Sequence, residues 1–128
     1  MKLLLDTHAF LWFIGNDAQL SEQALNFIAD KTNEVFVSVV SFWESAIKIS
    51  IGKLTLTQPF ETFIPQQLLI NDFRVLEIDF SHTVTVTKLP FHHRDPFDRL
   101  LISQALTEHF SIVSTDAIFD NYPVTRLW

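Results

Sequence analysis

The stretch Lys2-Leu3-Leu4-Leu5-Asp6-Thr7-His8 decides the fold. Three leucines followed by an acid predict a short strand, buried on both faces, that ends at Asp6. A strand covered on both sides belongs to a parallel sheet flanked by helices. In such sheets ligands sit in the crevice beyond the carboxyl ends of the strands. Asp6 stands at that rim, so the rest of the chain is read for other acids that reach the same edge.

Working outward, Thr7 to Ile14 reads as an apolar helix stopped by Gly15-Asn16-Asp17. Ser21 caps a second helix, Glu22 to Asp30, with Ala24, Leu25, Phe27 and Ile28 on its buried face. Glu34 to Val40 is a second strand. Ser41-Phe42-Trp43-Glu44 then fits a capping box, with Ser41 as cap and Glu44 three positions on. That helix is expected to run to about Ile51, with Lys48 one turn after Glu44 and able to pair with it. Gln58 to Asp72 is mainly helical, with a break expected at Pro65. Arg74 to Ile78 is a third strand. Ser81 to Leu89 is two-sided: its Thr-Val alternation favours a strand, whereas a right-handed crossover between parallel strands needs a helix.

Pro90 to Arg94 is a loop. Asp95-Pro96 is a strong helix start, which puts Asp98 in the first turn of a helix continuing to about His109. Ser111 to Ser114 is a fourth strand, followed by Thr115-Asp116. Asp120 to Pro123 is a turn, and Val124 to Leu127 a last strand. Alternating strands and helices give an α/β domain.

Composition agrees with one domain spanning residues 1–128, with 48% hydrophobic residues and 13 Phe to fill its core. The longest fully apolar run, Ala9 to Ile14, is too short to cross a bilayer, and no secretory signal is visible. With no cysteine, disulfides and thiolate zinc sites are excluded; a reducing cytoplasm is permitted by this, and a cytoplasmic location is the expectation for the chain. A net charge of −6 argues against general nucleic-acid binding, since phosphate contacts use Lys and Arg. That objection weakens where acids are gathered around a cation.

Asp6, Glu44, Asp98 and Asp116 each fall at a strand end or a helix start, so a parallel sheet brings all four to one edge. Each has an ordinary use as a cap or a dipole partner. Together, four carboxylates repel and raise one another's pKa, a cost that a hard cation such as Mg²⁺ or Mn²⁺ relieves. Thr7, Ser114 and Thr115 carry hydroxyls beside these acids, able to hold carboxylates or waters, or to cap. His92, His93, Arg94 and Arg99 form the only cationic cluster next to an acidic motif and are candidate phosphate contacts. Asp95 and Asp120 are expected to cap and turn, His8 to pack beside its helix, and Trp12, Trp43 and Trp128 to serve core or interface.

Four segments in this order also resemble a known family. They are Leu-Leu-Leu-Asp-Thr-His, Ser-x-Trp-Glu, His-His-Arg-Asp-Pro-Phe-Asp-Arg-Leu-Leu-Ile-Ser-Gln-Ala, and Ser-Thr-Asp-x-x-Phe-x-x-Tyr-Pro-Val. The chain is similar throughout to PIN-domain ribonucleases, above all to VapC-type toxins of toxin–antitoxin pairs. The resemblance implies a three-layer sandwich with a central, mainly parallel sheet, and a helix at Ser81 to Leu89. It implies Mg²⁺- or Mn²⁺-dependent hydrolysis of RNA, with Asp6, Glu44, Asp98 and Asp116 catalytic and Asp6, Asp98 and Asp116 holding metal. It also implies a cognate antitoxin and a second copy of the chain as partners. Surplus large apolar residues (Phe10, Trp12, Phe13, Ile14, Phe42, Trp43, Ile47 and Ile51) are expected to leave an exposed groove for the antitoxin.

Two other classes remain for this sequence. One is a PIN-like binding module with a vestigial site. The other is an aspartyl phosphotransferase or receiver domain, against which stand the missing second Asp after Asp6 and the missing lysine at the last strand.

Overall fold

The structure, a computed structural model, describes residues 1–128. Five strands form one sheet in the order β3-β2-β1-β4-β5, and every neighbouring pair is parallel. They are β1 (Lys2–Leu5), β2 (Glu34–Ser38), β3 (Arg74–Leu76), β4 (Ser111–Val113) and β5 (Arg126–Leu127). Six helices connect them: α1 (Thr7–Ile14), α2 (Glu22–Ala29), α3 (Val39–Ser50), α4 (Phe60–Ile70), α5 (Phe80–Val86) and α6 (Pro96–Glu108). A 3₁₀ turn, Ala117–Asn121, follows β4.

The leucine run behaves as its pattern demands. Successive side chains of a strand point to opposite faces. Leu3 and Leu5 therefore join Ala9, Phe10, Ala24, Ile28 and Phe73 on one side of the sheet. Leu4 joins Val40, Leu101, Ile102, Ile112 and Phe119 on the other. All three leucines are fully buried, each contributing about 1.5–3 kcal/mol of transfer free energy. The result is three layers, with β1 at the centre of the sheet.

Chain order places the functional edge. From β1 the chain builds β2 and β3 to one side, then crosses back to add β4 and β5 on the other. Beyond the carboxyl ends of β1 and β4 the connections diverge, which is the switch point where such sheets bind ligands. The Asp6 N–H donates to Val113 O at 3.1 Å and holds those two ends together.

Several expected boundaries move. The strand read as Glu34 to Val40 stops at Ser38, and Ser38, not Ser41, caps α3 by accepting from the Val40 N–H at 3.1 Å. The capping box at Ser41 and Glu44 is therefore absent. Both residues lie inside the helix and are buried, so Glu44 has no capping duty. Pro65 does not break its helix, because α4 runs through it. Pro65 is exposed, so water can reach the carbonyl that its missing N–H leaves free. The Thr-Val stretch is helical as α5, since β3 and β4 are parallel to β1 and need helical crossovers. Leu25, expected on the buried face of α2, is 43% exposed, whereas Ala24 and Ile28 are buried.

Candidate active site

Each acid is delivered by a different element. Asp6 follows β1 and caps α1, its Oδ1 accepting from the Ala9 N–H at 2.8 Å. Asp116 follows β4 and caps the 3₁₀ turn, its Oδ1 accepting from the Ile118 N–H at 3.0 Å. Asp98 sits in the first turn of α6, which Asp95 caps by accepting from the N–H groups of Phe97 and Asp98 at 2.8 and 3.1 Å. Glu44 comes from the buried face of α3.

The four carboxylates lie close enough to act on one another. Burial raises the Asp98 pKa, and Asp95, Asp6, Glu44 and Asp116 push it further, up to about 8. Burial also raises Asp6, with Glu44 adding to the effect, against the Ser114 hydroxyl and the Ala9 N–H that favour its charged form. An acidic cleft with at least one carboxyl protonated at neutral pH is what crowding without a cation should produce.

The neighbours divide. The Thr7 hydroxyl donates to Glu44 Oε1 at 2.6 Å and lies 3.0 Å from Ser41 Oγ, tying α1 to α3. Lys48 Nζ lies 3.3 Å from Glu44 Oε2, the expected pair one turn on. Ser114 Oγ accepts from the Asp116 N–H at 3.0 Å and reaches Asp6, linking the two strand ends. Thr115 is exposed and makes no side-chain hydrogen bond.

The cationic cluster does not behave as one surface. His93 enters the cleft: its Nε2 lies 2.8 Å from Asp116 Oδ2 and 3.0 Å from Asp98 Oδ2. Arg99 turns inward and is 6% exposed. Its guanidinium donates to the carbonyls of Pro90, His93, Val86 and Leu89 at 3.0–3.4 Å. A buried guanidinium occupied by carbonyls is not available to a phosphate, so the reading of Arg99 as a substrate contact is set aside. His92 is exposed, with its N–H on the Tyr122 hydroxyl at 3.1 Å and its ring edge-on to Tyr122. Arg94 is exposed. Tyr122, present in the last family-like segment but not singled out there, accepts through its hydroxyl from the N–H groups of both histidines and donates to Pro90 O at 2.8 Å. Asp120 pairs with Arg126 at 2.9 Å, and Arg126 also donates to Ser114 O at 3.1 Å.

The donor atoms of His93, Asp98 and Asp116 lie within 4.8 Å of one another, a spacing compatible with a bound cation. The PIN domain family model matches residues 3–124. The chain belongs to the PIN domain family. No curated protein sequence matches this PIN domain. Solved structures similar to it include VapBC2 of Rickettsia felis bound to a promoter DNA fragment, with 15% identity over 100% of both chains and a TM-score of 0.71. DNA-bound VapBC of Salmonella typhimurium shows 18% identity over 98% of this chain and 96% of that one, at a TM-score of 0.69. A toxin–antitoxin complex from Klebsiella pneumoniae shows 14% identity over 94% and 92%, at 0.62. At these identities the likeness is one of fold.

Proposed function

We propose that this PIN domain is a divalent-cation-dependent ribonuclease, active with Mg²⁺ or Mn²⁺, and the toxin of a cytoplasmic toxin–antitoxin pair. The observation that carries the reading is the convergence of Asp6, Glu44, Asp98 and Asp116 from four elements, with Asp98 pushed up to about 8. The donor set fits a hard cation, because it offers carboxylate oxygens whose mutual repulsion positive charge would relieve. A bound divalent cation supplies activation of water and neutralises charge on the phosphodiester.

The chain's own residues have distinct parts in this reading. Asp6, Asp98 and Asp116 hold the cation. Asp6 and Asp116 are oriented through their capping oxygens, and Ser114 fixes the two relative to each other. Glu44, held by Thr7 and Lys48, orients water. No side-chain nucleophile is required. The vestigial-module reading is disfavoured by the four intact acids held close together, with Asp6 and Glu44 buried.

The partner reading rests on a groove of about 330 Å³ between α1, the loop after α3, and α4. Leu11, Ile14, Leu54, Leu56 and Phe63 line it. An amphipathic antitoxin helix would place anchors there at helical spacing, as expected from similarity to toxin–antitoxin complexes. The groove differs from the one read from sequence. Phe10 is fully buried in the core and Phe42 packs against it, whereas Ile14 stays on the groove wall. A second copy of the chain remains part of the proposal.

The test is purified protein on single-stranded and structured RNA with Mg²⁺, Mn²⁺ or EDTA. Cleavage should require the cation and fall at least about 100-fold in Asp6→Asn and Asp116→Asn, as losses of charge stabilisation at such sites do. Undiminished cleavage in EDTA would overturn the reading.

A further inference from the structure

His93 is the imidazole among the carboxylates of the cleft, and two roles compete for it. Its position near Asp98 and Asp116 suits a metal ligand. Its own hydrogen bonds do not. His93 Nδ1 accepts from the Asp95 backbone N–H at 3.1 Å. A ring nitrogen facing an N–H donor is unprotonated, so the proton of the neutral ring sits on Nε2. That N–H is aimed at Asp116 Oδ2 at 2.8 Å, and Asp98 Oδ2 lies 3.0 Å from the same nitrogen.

A ligating histidine shows the opposite arrangement. It binds metal through one nitrogen and donates the other ring N–H to a carbonyl or carboxylate. Here the second nitrogen meets a donor that the chain cannot remove, since the Asp95 N–H is backbone just ahead of α6. The loop is also firmly held. The His93 N–H donates to the Tyr122 hydroxyl at 2.9 Å, Arg99 binds His93 O at 3.4 Å, and the ring lies 5.7 Å from that of Phe119.

We propose that His93 is a positioning residue, a fixed-tautomer N–H donor that pins Asp116 Oδ2 beside Asp98, and not a nitrogen ligand. This rests on the ribonuclease reading for its purpose, and it deepens that reading by leaving an all-oxygen set for the cation. Such a set selects hard ions, whereas an imidazole would draw the site toward Ni²⁺ or Zn²⁺.

Two readouts do not depend on cleavage. Nitrogen-15 spectra of the metal-free protein should show His93 with Nε2 protonated and Nδ1 bare. Calorimetric titration with Mn²⁺ and with Ni²⁺ should give the same ratio of affinities for wild type and His93→Ala, within about threefold. A nitrogen ligand would instead cost Ni²⁺ at least tenfold more than Mn²⁺, and that result overturns the proposal, as does a protonated Nδ1. Positioning is read from cleavage. His93→Ala should lower kcat about 10–100-fold with KM little changed, and His93→Gln, whose amide still offers an N–H, should recover part of the loss. Wild-type kcat in His93→Ala refutes positioning. If wild type cleaves no RNA at all, the function reading fails while the spectra and titrations still decide the tautomer and the ligand set.

Discussion

Replacing Asp98 by Asn should stabilise the cation-free protein at alkaline pH, although it removes a residue of the proposed site. Asp98 is held at about 8 against an ordinary 3.8. Below pH 4 it is protonated in both the folded and unfolded chain and contributes nothing. Between about 4 and 8 the unfolded chain releases this proton and the folded one keeps it, so stability falls as pH rises. Above 8 the folded carboxylate is charged and the full penalty is present. At 1.36 kcal/mol per tenfold, the range from 3.8 to about 8 sets an upper bound of about 5–6 kcal/mol. The side chain keeps 22% of its surface in water and has His93 Nε2 at 3.0 Å, both of which ease the charge. Roughly 2–3 kcal/mol is therefore expected. Asn keeps the shape and can accept from His93 through its carbonyl. Urea unfolding in EDTA at pH 5, 7 and 9 should show Asp98→Asn gaining on wild type with each step, and Mg²⁺ at pH 8 should narrow the gap by stabilising wild type alone. A difference that is flat with pH, or a variant less stable at pH 9, would refute the account of a crowded, cation-seeking cleft.

Two further outcomes follow from contacts around the cleft. Thr7→Val removes the donor to Glu44 at 2.6 Å without changing side-chain size, and should cost about 1–3 kcal/mol because the buried carboxylate loses a charge-assisted hydrogen bond; denaturant midpoints compared with a Thr7→Ser control, which keeps the hydroxyl, check it. Ile14→Glu puts a charge on the wall of the apolar groove and should weaken binding of the cognate antitoxin at least about tenfold while RNA cleavage persists, a separation read by calorimetry beside a nuclease assay.

Much of the fold was legible because the strongest local signals agreed with the global one. The leucine run, the Gly15 stop, the Ser21 cap and the Asp95-Pro96 start each have a local cause, and each stands where it was read. The start of α3 is not fixed by local pattern, because Ser38 and Ser41 can both cap. The Ser41 pattern, with Glu44 three residues on, is the stronger local match. What decides is tertiary: β2 must end level with β1, where Leu5 pairs with Val37, and the chain turns into helix just beyond. The Thr-Val stretch is the converse case, in which β propensity yields to the need for a helical crossover. Pro65 predicts a break because sequence does not say whether the carbonyl it orphans faces water.

The candidate site was legible as a set of acids and illegible as a set of atoms. The ordinary and functional readings of Asp6 and Asp116 look like rivals when one residue is given one role. A carboxylate has two oxygens, and in Asp116 they are divided: Oδ1 caps the following turn and Oδ2 faces His93 and Asp98. In Asp6 the capping oxygen is likewise Oδ1. The cap is thus the means by which a strand end aims its acid, since a carboxylate fixed through one oxygen has few places to put the other. Glu44 and Asp98 are aimed differently, one by the Thr7 hydroxyl and Lys48, the other by the Asp95-capped turn that carries it. Long-range contacts such as His93 to Asp116 and Arg99 to Pro90 join segments whose meeting depends on the whole loop. A local pattern can nominate such residues as cationic, but it cannot say that one turns its N–H into the cleft while the other is buried beneath the loop.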